Sequence, residues 1–135
     1  MNRTSDQVDE LFDIKNAFYT SNYQTCINEA QKLKIADPEL SLDRDVFMYR
    51  SYLALKKYRV VLEEVGPSKP SMLQPLAMFA TFLSNPGKRE AIVTELDNIM
   101  GGNVDPNNYV QLLVAATIYM GVEQPESALR VLHPR

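Results

Sequence analysis

Few side chains in this 135-residue chain could carry out covalent chemistry, and their spacing argues against it. The single histidine, His133, is the third residue from the end of the sequence. A nucleophile needs a base within hydrogen-bond reach, and a terminal histidine is poorly placed to serve as one. The single cysteine, Cys26, cannot form an intramolecular disulfide. It falls on the apolar face of a helical pattern, which marks a small buried hydrophobe rather than a redox thiol. No HExxH, CxxC or glycine-rich phosphate loop occurs, and Gly101-Gly102 reads as a helix stop. The carboxylate pairs Glu63-Glu64 and Asp43-Asp45 face solvent or pair with Lys57 and Arg44. The residues therefore predict no catalytic site, no metal, no cofactor and no small-molecule substrate.

Composition narrows the remaining classes. Hydrophobic content of 45% with 23% charged residues is that of a globular domain, not a disordered chain. A chain of this length buries about two-thirds of its unfolded surface. The net charge of −3 gives no basic face for nucleic acid. The one tight basic cluster, Lys56, Lys57 and Arg59, reads as a solvated helix end. The start, MNRTSDQVDE, lacks an apolar signal core, so a cytosolic chain is expected. The most apolar run, Tyr109 to Val122, is too short to span a bilayer.

Apolar spacing predicts helices throughout. Ile14 to Leu33 reads as two short amphipathic helices about a polar break at Ser21-Asn22, whose side chains offer cap oxygens. The first helix is expected to start near Ser5 or Asp6. Leu11, Phe12, Ile14, Phe18 and Tyr19 crowd it with apolar area on more than one face. A third helix is expected from a Ser41 cap to about Lys56, and a fourth over Tyr58 to Val65. A fifth, about Met72 to Ser84, tolerates Pro75 only in its first turn. Asn85-Pro86 starts a sixth, and Asp105-Pro106 a seventh through Met120. An eighth carries Ala128, Leu129 and Leu132. No stretch alternates with period two.

The helices repeat. An inward position on the first helix of each pair precedes one on the second by twelve residues: Ile14 and Cys26, Tyr49 and Val61, Ala80 and Ile92, Ala116 and Ala128. Successive pairs are offset by 35, 31 and 36 residues. A period of ~34 with helix–turn–helix content is the tetratricopeptide signature. The expected fold is all-α: one domain over 1–135 of about eight helices in four hairpins (6–36, 41–66, 71–101 and 105–133), wound as a right-handed superhelix. An irregular helical bundle is the alternative. Bulky Ile14 and Tyr49 stand where the pattern wants small residues, while Ala80, Ala115 and Ala116 fit it. Pro38 falls where the repeat's closing proline belongs.

A stack of hairpins presents a groove lined by the first helix of each pair, suited to another polypeptide. The register places Leu11, Lys15, Phe18, Val46, Arg50, Leu53, Ala77, Thr81, Leu113, Thr117 and Met120 on that face. The lining is mainly apolar, and only Lys15 and Arg50 could take part in a carboxylate clamp. For Phe18 and Tyr19, core packing and groove lining are equally consistent with the pattern.

Three segments carry a family resemblance: VDELFDIKNAFYTSNYQTCINEA (Val8 to Ala30), DRDVFMYRSYLAL (Asp43 to Leu55) and IVTELDNIM (Ile92 to Met100). They resemble the epsilon subunit of coatomer, the COPI vesicle coat, from about Val8 onward. The resemblance implies a non-enzymatic coat subunit in the cytoplasm, on the cytosolic face of Golgi membranes and COPI-coated vesicles. It implies a part in retrograde Golgi-to-endoplasmic-reticulum and intra-Golgi transport. Family members grip the C-terminal region of the alpha coat subunit inside a tetratricopeptide superhelix, and through it join the coat, a peripheral membrane association. The family's superhelix continues past the fourth hairpin, so an uncovered apolar end and self-association through it are expected. A tetratricopeptide adaptor for another complex, or a regulatory helical domain associated with an enzyme, are the competing readings.

Overall fold

The computed structural model describes residues 10–102, 104, 105 and 107–122. Among these every regular element is helical, and the chain adopts the all-α, tetratricopeptide-like fold expected from its period. Seven α-helices are described, and the expected eighth lies outside the described residues, as does Ala128. The chain forms two compact units, Met1–Lys57 and Tyr58–Arg135.

The first unit holds α1 (Phe12–Tyr19), α2 (Tyr23–Lys32) and α3 (Pro38–Ala54). The expected start of α1 at Ser5 or Asp6 lies outside the described residues. The turn after α1 is set by backbone geometry. Ser21 takes a positive φ of 66°, its N–H bonds the Phe18 carbonyl at 3.0 Å, and the Asn22 N–H reaches Ala17 at 2.7 Å. That pair of bonds is a Schellman closure, normally built on glycine. The same closure ends α3, with Lys56 at φ 64° and bonds from Lys56 to Leu53 and from Lys57 to Tyr52. The two left-handed residues, Ser21 and Lys56, stand 35 positions apart, the first offset of the repeat. The side chain of Asn22 makes no cap bond and instead donates to the Thr20 hydroxyl at 2.9 Å.

The start of α3 differs from expectation. Asp37 is the cap, accepting from the Glu39 N–H at 3.0 Å, and Pro38 opens the helix rather than closing the hairpin before it. An Asp-Pro pair satisfies an orphan amide and supplies a ready helical φ, so it outcompetes Ser41. Ser41 accepts a hydrogen bond from Arg44 instead, at 3.0 Å. Arg44 also donates to the Leu33 carbonyl at the end of α2 and pairs with Asp45. The core of this unit joins Leu11, Ile14, Ala17, Cys26, Ala30 and Phe47, with Phe18, Leu33, Ile35, Leu40 and Met48 packed against it.

The second unit holds α4 (Tyr58–Glu64), α5 (Gln74–Ser84), α6 (Arg89–Met100) and α7 (Tyr109–Gly121). The Pro/Ser-rich connection before α5 is pinned by Gln74, whose amide donates to the Gly66 and Lys69 carbonyls. Pro75 sits in the first turn of α5, where no helical amide is lost. Asn85 caps as its sequence signal required, but it opens a short 3-10 turn, Pro86–Lys88, and α6 begins only after that turn. Asp105 does not cap α7. It closes a turn onto the Asn107 N–H, and Asn108 caps the helix by accepting from Gln111 at 3.0 Å. The small residues Ala80, Ala115 and Ala116 are buried, as is Ile92 opposite them in the register. Such residues let neighbouring helices approach closely. Tyr119 donates from α7 to Asp97 of α6 at 2.6 Å.

A candidate partner-binding surface

Chemistry-bearing side chains are sparse in the folded units as well. Among the described residues no three His, Cys, Asp or Glu side chains gather as a metal would require. Cys26 is fully buried, with its thiol 3.8 Å from the Phe47 carbonyl. Burial pushes its pKa up, while Ser51 and the Arg50 charge pull it down. A thiol held protonated is a poor nucleophile. Glu63 pairs with Arg59 across one helical turn, and Asp45 with Arg44.

The first unit carries one concentrated surface feature. Phe18 of α1 meets Tyr19, Tyr23 and Phe47 edge-on, with centroids 5.2, 5.7 and 5.3 Å away. Tyr19 also meets Phe47, at 5.8 Å. The Arg50 guanidinium lies 4.5 Å from the centroid of Phe18 and 5.8 Å from that of Phe47, within cation–π range. Phe47 is core, whereas Tyr19 is 68% exposed and Phe12, seven positions earlier on the same helix face, 60% exposed. Two large aromatics thus lie in water beside a cation–π pair.

The eleven expected lining residues divide by burial. Leu11, Val46 and Leu53 are buried in the first unit, so their surface is already used in intrachain packing. Lys15, Phe18 and Arg50 are half-buried and share the aromatic face's two helices, α1 and α3. In the second unit Ala77 and Thr81 line an open cleft of about 500 Å³ together with Leu62, Met78, Ile92 and Ile99. Gln111 is also on its wall, with a buried amide nitrogen that has no acceptor among the described residues. Leu113 is half-buried on α7, and Thr117 and Met120 are exposed. Both lining threonines bond the carbonyl four residues back, Thr81 to Ala77 and Thr117 to Leu113, which spends their polar groups within the helix.

Register reasoning missed Phe12, Leu62 and Met78. The signal for Phe12 was present: α1 carries apolar residues on more than one face, and a short helix can bury only one.

These features belong to a helical scaffold with an apolar, cation-bearing face, and comparison with known proteins places it. A family model described as the coatomer epsilon subunit matches residues 7–135. This chain belongs to the coatomer epsilon subunit family. It is similar to coatomer subunit epsilon-2 of Arabidopsis thaliana, 33% identical over 125 residues, which are 93% of this chain and 42% of the relative. Coatomer subunit epsilon of Dictyostelium discoideum is 34% identical over 132 residues, 93% of this chain and 44% of the relative. Coatomer subunit epsilon of Caenorhabditis elegans is 30% identical over 126 residues, 92% and 42% respectively. The chain thus spans less than half the length of these relatives. Within the described residues no helix is long and apolar enough to cross a membrane.

Proposed function

We propose that this chain acts as a non-catalytic subunit of the COPI coat, binding the C-terminal region of the alpha coat subunit. Through that contact it takes part in retrograde Golgi-to-endoplasmic-reticulum and intra-Golgi transport. Its place is the cytoplasm and the cytosolic face of Golgi membranes and COPI-coated vesicles, reached through the complex. The observation that carries the reading is the match to the epsilon family over residues 7–135. The contact residues are those expected lining positions that keep free surface: Lys15, Phe18 and Arg50 in the first unit, and Ala77, Thr81, Leu113, Thr117 and Met120 in the second. Arginine and aromatic side chains together are the residue types that most often dominate protein interfaces, which supports the first group.

The test is direct binding of the purified chain to the alpha subunit's C-terminal region by calorimetry. A stoichiometric complex is expected. No heat of binding, or equal binding to an unrelated extended peptide, would return the chain to the class of general helical-repeat adaptors.

A further inference from the structure

Four arginines lie among the described residues, and three of them have polar partners. Arg44 has Asp45, Ser41 and the Leu33 carbonyl; Arg59 has Glu63; Arg89 donates to the Phe82 carbonyl. Arg50 has neither a carboxylate nor a carbonyl partner among the described residues, although it is half-buried. A guanidinium that has lost part of its water without gaining an acceptor is poorly compensated, unless an acceptor arrives from outside. Its placement suits such an arrival. Cation–π contact with Phe18 and Phe47 holds the guanidinium in place, and its N–H donors form a planar fork that matches a carboxylate bidentately. The exposed rings of Tyr19 and Phe12 stand on the neighbouring helix, and a segment laid on them would exclude water from the pair. Lower local dielectric then strengthens the charge contact.

We infer that the aromatic face of the first unit receives an acidic–apolar segment of the partner protein, with an Asp or Glu carboxylate on Arg50 and an adjacent apolar side chain against Phe18 and Tyr19. The single guanidinium fork of Arg50 matches one carboxylate. The inference rests on the coat reading, since it names the chemistry of the segment that the proposed partner contributes.

The experiment titrates the alpha subunit's C-terminal region into the full chain and its Arg50→Gln, Arg50→Lys and Tyr19→Ala variants, at low and high salt. Wild-type affinity is expected to fall as salt rises. Arg50→Gln should bind about tenfold or more weakly at low salt, the loss of one charged hydrogen-bonded contact, and should lose most of the salt dependence. Arg50→Lys keeps the charge without the fork and should fall between the two. Tyr19→Ala, at an exposed site, should weaken binding with the wild-type salt slope intact. A purely structural role for Arg50 would leave that slope unchanged in Arg50→Gln, and this result overturns the inference while the coat reading stands. A wild-type dimer dissociated by Tyr19→Ala would make a second copy the occupant and overturn it equally. Absence of wild-type binding removes the coat reading, and the inference with it.

Discussion

Replacing Phe47 with alanine should cost the first unit about 3–5 kcal/mol, and the structure explains why the cost sits at the high end for a single side chain. Phe47 is 7% exposed and belongs to the cluster that joins α1, α2 and α3. Its ring meets Phe18 and Tyr19 edge-on and carries the Arg50 guanidinium at 5.8 Å. Each aromatic pair contributes about 0.5–1.5 kcal/mol beyond its buried area, so two pairs account for roughly 1–3 kcal/mol. The rest is lost apolar burial and the cavity left behind. Phe47→Leu separates the two parts, because it keeps most of the volume and loses the rings. It should cost about 1–3 kcal/mol. The assay is urea denaturation followed by far-ultraviolet circular dichroism. With a slope of roughly 1–3 kcal/mol per molar urea, the alanine variant should move the first unit's midpoint down by more than about 1 M. If Phe47→Ala cost under about 1 kcal/mol, or if leucine and alanine behaved alike, the aromatic cluster would not be what holds the three helices together.

Lys56→Gly should stabilise the first unit by about 0.5–1 kcal/mol. Lys56 is exposed and holds a left-handed φ of 64°, which costs a residue with a Cβ about 1–2 kcal/mol, partly offset by the extra freedom of glycine in the unfolded chain. A midpoint unchanged or lowered in thermal melting would show that the turn is not strained. A last prediction concerns pH. The folded Cys26 pKa is raised, chiefly by burial, so the native state keeps the thiol proton at pH values where the unfolded chain has released it. Stability from this group is therefore full below the ordinary thiol range, roughly 8.5, and is lost as pH climbs through it toward the folded value. Denaturation of the wild-type chain and Cys26→Ala across that window should show an alkaline decline in the wild type that is smaller in the variant. Parallel curves would refute the burial argument.

The inward positions were legible because they are small or apolar residues at helical spacing. Cys26, Val61 and Ile92 stand twelve positions after Ile14, Tyr49 and Ala80, and all six are buried. The proline signals were legible too, since Asn85-Pro86 and the first-turn Pro75 act through the local backbone. Competition between neighbouring signals was harder to read. Asp37-Pro38 displaced Ser41, and Asn108 displaced Asp105, because a cap is decided by which side chain reaches a free amide once the helix is placed. Ser21 and Lys56 were invisible as left-handed residues. Neither is a glycine, and only the closing hydrogen bonds reveal the role.

The sequence by itself determined that the chain is helical and that its inward apolar positions recur with a period near that of a tetratricopeptide. Those properties arise from hydrophobic spacing and residue chemistry, which are local. Tertiary structure alone decided which lining residues keep free surface. Leu11, Val46 and Leu53 turned inward, whereas Phe12 and Tyr19 stayed in water. One helix face can be buried against only one neighbour, and which face wins depends on partners that lie far away in sequence. The cation–π contact of Arg50 with Phe18, a residue 32 positions earlier, is settled in the same way.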